Sequence, residues 1–130
     1  MNDRPLHRIL HVEDEPDIRT IAKMTLEALG GFEVQSCASG QEAIAKGPAF
    51  KPDLVLLDVM MPGMGGPTTL SELRKIDALS ATPVVFMTAK AQGHEIDRFK
   101  SLGAVDVVIK PFDPENLCQQ LNAIWQRVEA

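Results

Sequence analysis

Five short runs of apolar residues divide the chain, and four of them are continuous rather than alternating. These four are rich in β-branched and aliphatic residues and cover Arg8–Val12, Asp53–Leu57, Pro83–Met87 and Val105–Ile109. Continuous runs of this length are typical of strands that are buried on both faces of a sheet. The remaining run, Phe32–Ser36, is the second along the chain. It alternates apolar and polar residues, so we expect it at an edge of that sheet.

Helical patterns lie between these runs and after the last one. The first helix has Pro16 in its first turn and ends at Gly30-Gly31. Its apolar residues share one face, which consists of Ile18, Ile21, Ala22 and Leu29. Shorter patterns cover residues 41–46, 68–75 and 95–102. The last helix starts near Pro114 and has one apolar stripe, formed by Leu117, Leu121, Ile124, Trp125 and Val128. Five β-α repeats predict a parallel sheet with helices on both faces, and Trp125 is expected in its core.

Composition and charge favour one soluble, cytoplasmic domain. The 130 residues are 45% apolar, and the formal net charge of −5 opposes direct binding to nucleic acid, which requires a basic surface. No stretch reaches the ~20 apolar residues of a membrane span, and the N-terminus lacks the apolar core of a secretory signal. Cys37 and Cys118 are far apart and are expected to be reduced, half-buried thiols. We expect a single domain over residues 1–130, with an ordered core over 7–128 and no output domain.

Polar side chains stand where four of the predicted strands end. Glu13-Asp14-Glu15 follows the first strand, Asp58 the third, Thr88 the fourth and Lys110 the fifth. The carboxyl ends of parallel strands meet at one edge of the sheet, where ligands bind. Carboxylates that converge there repel one another, and a hard divalent cation such as Mg²⁺ removes the conflict. Taken singly, each residue has a simpler role in capping a helix or forming a turn, but together they form a set suited to phosphoryl chemistry.

The residues at these strand ends resemble the receiver domain of two-component response regulators. The resemblance rests on four motifs and extends from about Ile9 to the last helix. The motifs are Val12-Glu13-Asp14-Glu15, residues 52–64 (PDLVLLDVMMPGM), Thr88-Ala89 and Lys110-Pro111-Phe112. The resemblance implies a flavodoxin-like α/β fold, with a doubly wound five-stranded parallel sheet in the order 2-1-3-4-5 and five helices.

The resemblance also implies a role for three of the acidic residues. Asp58 matches the phosphoacceptor, which takes a phosphoryl group from a phosphohistidine. Asp14 and Asp58 would bind Mg²⁺ directly, with the backbone carbonyl of Met60 as a third ligand. Glu13 would hold the metal through a water molecule.

Two further positions match residues that handle the phosphoryl group in that family. Lys110 would pair with Asp58 at rest and with the phosphoryl oxygens afterwards, and its peptide bond to Pro111 would be cis. The Thr88 hydroxyl would move to bond the phosphoryl group. The implied protein is a self-phosphorylating switch that slowly hydrolyses its own acyl phosphate, and it serves signalling rather than metabolism.

Four positions depart from the family pattern. Val107 stands where the family has an aromatic ring that turns inward, so we expect a small change at the face of the fourth helix, fifth strand and fifth helix. Gly65 replaces an acidic residue and predicts a looser start of the third helix. Met60 and Lys90 flank the path of the attacking water and predict slow to intermediate autodephosphorylation. Apart from these four positions, His11 lies within a strand and is expected to be neutral and hydrogen-bonded in the core.

The sequence is compatible with several functions and partners. The leading interpretation is a receiver that takes phosphate from a sensor histidine kinase or histidine phosphotransfer protein and acts on a downstream protein. A homodimer through the face of the fourth helix, fifth strand and fifth helix is also compatible with the sequence. The alternative is a degenerate receiver that only binds proteins, which the intact acidic set opposes. A haloacid-dehalogenase-like phosphatase would need a second aspartate at Met60 and a cap domain. A flavodoxin would need a Ser/Thr-rich loop where Glu13-Asp14-Glu15 stands.

Overall fold

The structure, a computed structural model, describes residues 4–89 and 92–128. Over those ranges, a parallel sheet has the order β2-β1-β3-β4-β5. Its strands are β1 (Arg8–Val12), β2 (Glu33–Cys37), β3 (Leu54–Asp58), β4 (Val84–Thr88) and β5 (Asp106–Ile109). The α-helices are α1 (Pro16–Ala28), α2 (Gly40–Phe50), α3 (Gly66–Arg74), α4 (Gly93–Ser101) and α5 (Pro114–Arg127). The predicted fold class and strand order are confirmed, and a short 3₁₀ turn at Asp77–Leu79 was not predicted.

Both faces of the sheet are covered. One apolar layer packs β1, β3 and β4 against α1 and α5, and the other packs the same strands against α2, α3 and α4. All five residues of β3 and of β4 are buried, as the continuous apolar runs predict. The sheet places β2 at one edge, in agreement with its alternating pattern.

The buried face of α1 differs from the prediction. Ala22, Thr25 and Leu26 are buried, whereas Ile21 is 51% and Leu29 60% exposed. Residues spaced by three and four face the sheet and α5, and Ile21 and Leu29 fall outside that stripe. The apolar pattern alone did not reveal which part of the wide apolar surface of α1 is covered.

Other predicted core features are confirmed. Trp125 is buried, and its indole Nε1–H donates a hydrogen bond to the backbone carbonyl of Arg4. Cys37 and Cys118 are free thiols as expected, but the expectation that they are half-buried is wrong, because both are buried. Within the described ranges, every helix is too short or too polar to cross a bilayer.

Candidate metal and phosphoacceptor site

Three carboxylates meet at the carboxyl edge of the sheet. Asp58 is the last residue of β3, and Glu13 and Asp14 directly follow β1, which is the neighbour of β3. One oxygen from each carboxylate lies within 4.8 Å of the others. Asp58 is only 3% exposed and Glu13 is fully buried, so the cluster is set into the molecule rather than spread over its surface.

Lys110 bridges two of these carboxylates from the end of β5. Its Nζ lies 2.9 Å from Asp58 Oδ1 and 3.0 Å from Glu13 Oε1. The Lys110–Pro111 peptide bond is cis, as the resemblance implies. Thr88, the last residue of β4, is buried, and its backbone carbonyl accepts a hydrogen bond of 2.9 Å from the Lys110 amide. The four strand ends therefore bring their polar residues to one place.

Burial and charge perturb the groups of this site. Burial raises the pKa of Glu13, hydrogen bonds from Lys110 and from the Glu15 amide oppose the rise, and the charge of Asp58 adds to it. Burial by itself would lower the pKa of Lys110, but its hydrogen bonds to Asp58 and Glu13 outweigh burial and hold that pKa above its ordinary value. One ammonium facing three carboxylates leaves negative charge that a divalent cation would offset. A donor set made only of oxygen atoms fits Mg²⁺.

One residue that contacts the acidic loop was not predicted. The Arg19 guanidinium of α1 donates hydrogen bonds from one nitrogen to the backbone carbonyls of Glu13, at 2.9 Å, and Asp14, at 3.2 Å. A basic residue in the first turn of a helix gives no sequence signal that its side chain bends back over the preceding loop.

The loop between β3 and α3 is closely packed at its end. Gly66, the first residue of α3, donates its amide to the carbonyl of Val59 at 2.9 Å. A Cβ atom on Gly66 would lie 2.7 Å from the carbonyl oxygen of Asp58, so only glycine fits there without a shift. Gly66 is thus closely packed and Gly65 provides no side-chain cap, and the looser start of α3 stays a prediction. Met60, in the same loop, is 70% exposed.

Two of the positions that depart from the family pattern, and His11, have separate outcomes. Val107 is partly buried against the layer that holds Phe86 and Phe99. Lys90 lies outside the described residues. His11 is buried, and burial, followed by the charges of Lys110 and Arg19, lowers its pKa to about 4, so it is neutral near pH 7 as expected. The expected hydrogen bonding is wrong for one nitrogen, because His11 Nδ1 has no partner within residues 4–89 and 92–128.

The strand order and the site define a class of protein. A doubly wound five-stranded sheet in this order, with acidic side chains at the carboxyl edge of β1 and β3, is a flavodoxin-like domain with its site at the topological switch point. The chain belongs to the response regulator receiver domain family, which matches residues 9–122. It is therefore a signalling domain of two-component systems. Receiver domains of this family bind Mg²⁺ and interact with histidine kinases.

Solved structures and curated relatives agree with this assignment. The chemotaxis protein CheY4 of Vibrio cholerae is 31% identical, with a TM-score of 0.85 over 92% of this chain and 98% of that chain. A putative response regulator from Chloroflexus aurantiacus is 29% identical, with a TM-score of 0.83 over 95% of this chain and 100% of that chain. The transcriptional regulatory protein ResD of Bacillus subtilis is 38% identical over 92% of this chain and 48% of its own length. The chain thus spans about half the length of that relative.

Proposed function

We propose that this chain is a phosphorylated switch in which Asp58 accepts a phosphoryl group from a histidine kinase or a histidine phosphotransfer protein. The convergence of three carboxylates with Lys110 at one buried edge carries the proposal. Membership of the receiver family supports it. A receiver that only binds proteins, the alternative, would have no need for a buried acidic cluster paired with a lysine.

The acidic residues would hold Mg²⁺ before phosphorylation. Asp14, Asp58 and the backbone carbonyl of Met60 would bind it directly, and Glu13 through water. The chemistry supplied by Mg²⁺ is neutralisation of the repulsion between the Asp58 carboxylate and the incoming phosphoryl oxygens. Lys110 already contacts Asp58 at 2.9 Å and would exchange part of that contact for a phosphoryl oxygen.

Phosphoryl transfer would proceed as a substitution at phosphorus. A carboxylate oxygen of Asp58 forms the new P–O bond while the P–N bond of the donor phosphohistidine breaks, and the released imidazole takes up a proton. Lys110 stabilises the charge on the transferred group, and the Thr88 hydroxyl would bond one of its oxygens afterwards. The acyl phosphate is then lost by slow hydrolysis, because the apolar Met60 flanks the path of water. A phosphoprotein lifetime of seconds would contradict this part of the proposal.

The conformational response is proposed to be small at the face of α4, β5 and α5. Val107 has no ring that could turn inward when Thr88 moves, and it already packs in the core layer of α3 and α4. Amide exchange measured with and without the phosphoryl mimic beryllofluoride should therefore change near Thr88 and little along that face. A large change across α4, β5 and α5 would refute it.

The output partner is proposed to be a protein in the cytoplasm rather than nucleic acid. The net charge of −5 supports this choice. On the proposed contact face, Asp106 of β5 pairs with Arg127 of α5 at 2.7 Å and lies 3.9 Å from Lys100 of α4. Val105, which precedes β5, and Ile109, its last residue, are exposed. A second copy of the chain is one occupant of this face, which light scattering with and without beryllofluoride would detect.

The decisive experiment is the intact mass after incubation with acetyl phosphate and Mg²⁺. The wild type should gain one phosphoryl group, and neither the Asp58→Ala variant nor the wild type in EDTA should do so. If acetyl phosphate fails, a phosphorylated histidine phosphotransfer protein is used as donor in the same assay. Failure with both donors would refute the proposal and favour the binding module.

A further inference from the structure

We propose that Arg19 is a positioning residue that shapes the β1–α1 loop so that two consecutive carboxylates, those of Glu13 and Asp14, face the same metal. This inference rests on the proposed Mg²⁺ site. It concerns a side chain that makes no contact with the metal or the phosphoryl group, and it explains how adjacent acidic residues serve one site.

Consecutive residues do not normally point the same way after a strand. In an extended chain, successive side chains alternate between the two faces, and successive carbonyl groups alternate in direction as well. If β1 continued unbent, Glu13 and Asp14 would project to opposite faces of the sheet. Their carboxylates instead lie within 4.8 Å of each other and of Asp58.

The Arg19 side chain holds the bend that brings them together. One guanidinium nitrogen is 2.9 Å from the carbonyl oxygen of Glu13 and 3.2 Å from that of Asp14. A single donor nitrogen reaches both oxygens only if the two carbonyl groups lie on the same side of the chain. The chain bends at Asp14, in agreement with this requirement.

Glu13 is also held by its amide, which donates to the Cys37 carbonyl at 3.0 Å, and by Lys110, which lies 3.0 Å from its carboxylate, but neither contact involves the two carbonyls. Glu15, the N-cap of α1, makes no capping hydrogen bond with its side chain, although its amide bonds Glu13 Oε2 at 3.2 Å. The Arg19 amide donates to the carbonyl of Glu15 at 2.9 Å in the first turn of the helix. Arg19 therefore binds the carbonyls of all three residues of the acidic run. Buried backbone carbonyls require such partners, and Glu13 is fully buried.

Positioning and charge predict opposite effects when Arg19 is removed. Loss of a positive charge beside an acidic cluster would by itself strengthen the binding of Mg²⁺. Loss of the bend would separate the two carboxylates and weaken binding. Replacement of side chains that orient metal ligands typically weakens metal affinity by about 10–100-fold.

The test is calorimetric titration of unphosphorylated protein with MgCl₂ in the absence of a phosphodonor. Arg19→Met removes the donors and the charge but keeps the apolar stem. The control, Lys23→Met, removes a charge one turn further along α1, and within the described part of the chain the Lys23 ammonium makes no hydrogen bond or ion pair. We expect Arg19→Met to bind Mg²⁺ about 10-fold more weakly and Lys23→Met to bind within about 2-fold of the wild type. Affinity of Arg19→Met equal to or tighter than that of the wild type overturns the inference.

Two additional measurements keep the inference separate from a general loss of fold and from the proposed function. Amide exchange should accelerate at residues 13–15 in Arg19→Met but not in β3 or β5. If that variant does not fold, Arg19→Ala replaces it, because alanine favours helix and has no donor for the two carbonyls. Weakened Mg²⁺ binding by Arg19→Ala supports the inference, and wild-type affinity overturns it. Absence of Mg²⁺ binding by the wild type would instead refute the proposed site.

Discussion

Gly66→Ala tests how closely α3 packs on the end of the phosphoacceptor strand. An added Cβ would lie 2.7 Å from the carbonyl oxygen of Asp58 and 2.8 Å from the Cα of Val59. Both are backbone atoms that cannot rotate away. The start of α3 must therefore shift by roughly half an ångström or more before the contact becomes an ordinary one, which strains the hydrogen bond from the Gly66 amide to Val59.

The magnitude follows from two opposing contributions. Overpacking against rigid neighbours costs about 1–3 kcal/mol in free energy of unfolding. Alanine returns up to about 1 kcal/mol, because it restricts the unfolded chain and favours helix more than glycine does. We therefore expect Gly66→Ala to lose about 1–2 kcal/mol net. Because Asp58 carries the carbonyl that is displaced, phosphorylation by acetyl phosphate should slow as well.

Gly65→Ala is the matched control one residue earlier. Its backbone lies at φ −74° and ψ 177°, which any residue adopts, and a Cβ there would lie 3.5 Å from the Val59 carbonyl. It should be as stable as the wild type or slightly more stable. Urea unfolding followed by circular dichroism measures both variants, and acetyl phosphate labelling measures their function. If the two variants differ by less than about 0.5 kcal/mol, the close packing of α3 on Asp58 is refuted.

Three further outcomes are expected. Lys110→Met removes the only ammonium found between the buried carboxylates of the described site. The free energy of unfolding of this variant, measured by urea unfolding, should be about 1–3 kcal/mol lower than that of the wild type without Mg²⁺ and should recover when Mg²⁺ is added. For Asp53, burial opposes ionisation, but hydrogen bonds from Arg4 and two backbone amides prevail and hold its pKa below the ordinary value. Its stabilisation should therefore be complete at neutral pH and disappear as pH falls through that lowered pKa, so Asp53→Asn should be less stable than the wild type by about 1 kcal/mol at pH 7 and equal to it near pH 2. Cys37 and Cys118 should react slowly with a disulfide reagent until urea is added, because both thiols are buried. Burial, followed by the nearby charge of Glu42, also raises the pKa of Cys37 to about 11. Rapid labelling of the folded protein would contradict their burial.

The sequence was sufficient to locate the principal acidic and basic residues of the site. Glu13, Asp58 and Lys110 each follow an apolar run, and the topology of a parallel sheet brings the ends of those runs to one edge. That inference depends only on strand order and direction, which the β-α repeats determine. It needs no knowledge of how any side chain turns.

Features that depend on packing between elements were not accessible in that way. The bend of Arg19 over the preceding loop and the contact of Gly66 with Asp58 arise from the distance between a helix and a strand, which no local pattern encodes. The exposed Ile21 illustrates the same limit, because α1 has more apolar surface than α5 and the sheet cover. Local periodicity identifies a helix, whereas its neighbours decide which residues are buried.

The contact between Arg4 and Trp125 determines where attachments to the domain would lie. Arg4 also forms an ion pair, at 2.7 Å, with Asp53, the residue directly before β3. Both ends of the described chain therefore meet at the amino edge of the sheet. Asp58 lies at the other end of the same strand, about 16 Å away for five residues. A fluorescent label or fused protein at either end would therefore leave the carboxyl edge open to a phosphodonor. Joining the two ends through a short linker should give a circular permutant whose new ends can be placed in an exposed loop without disturbing that edge.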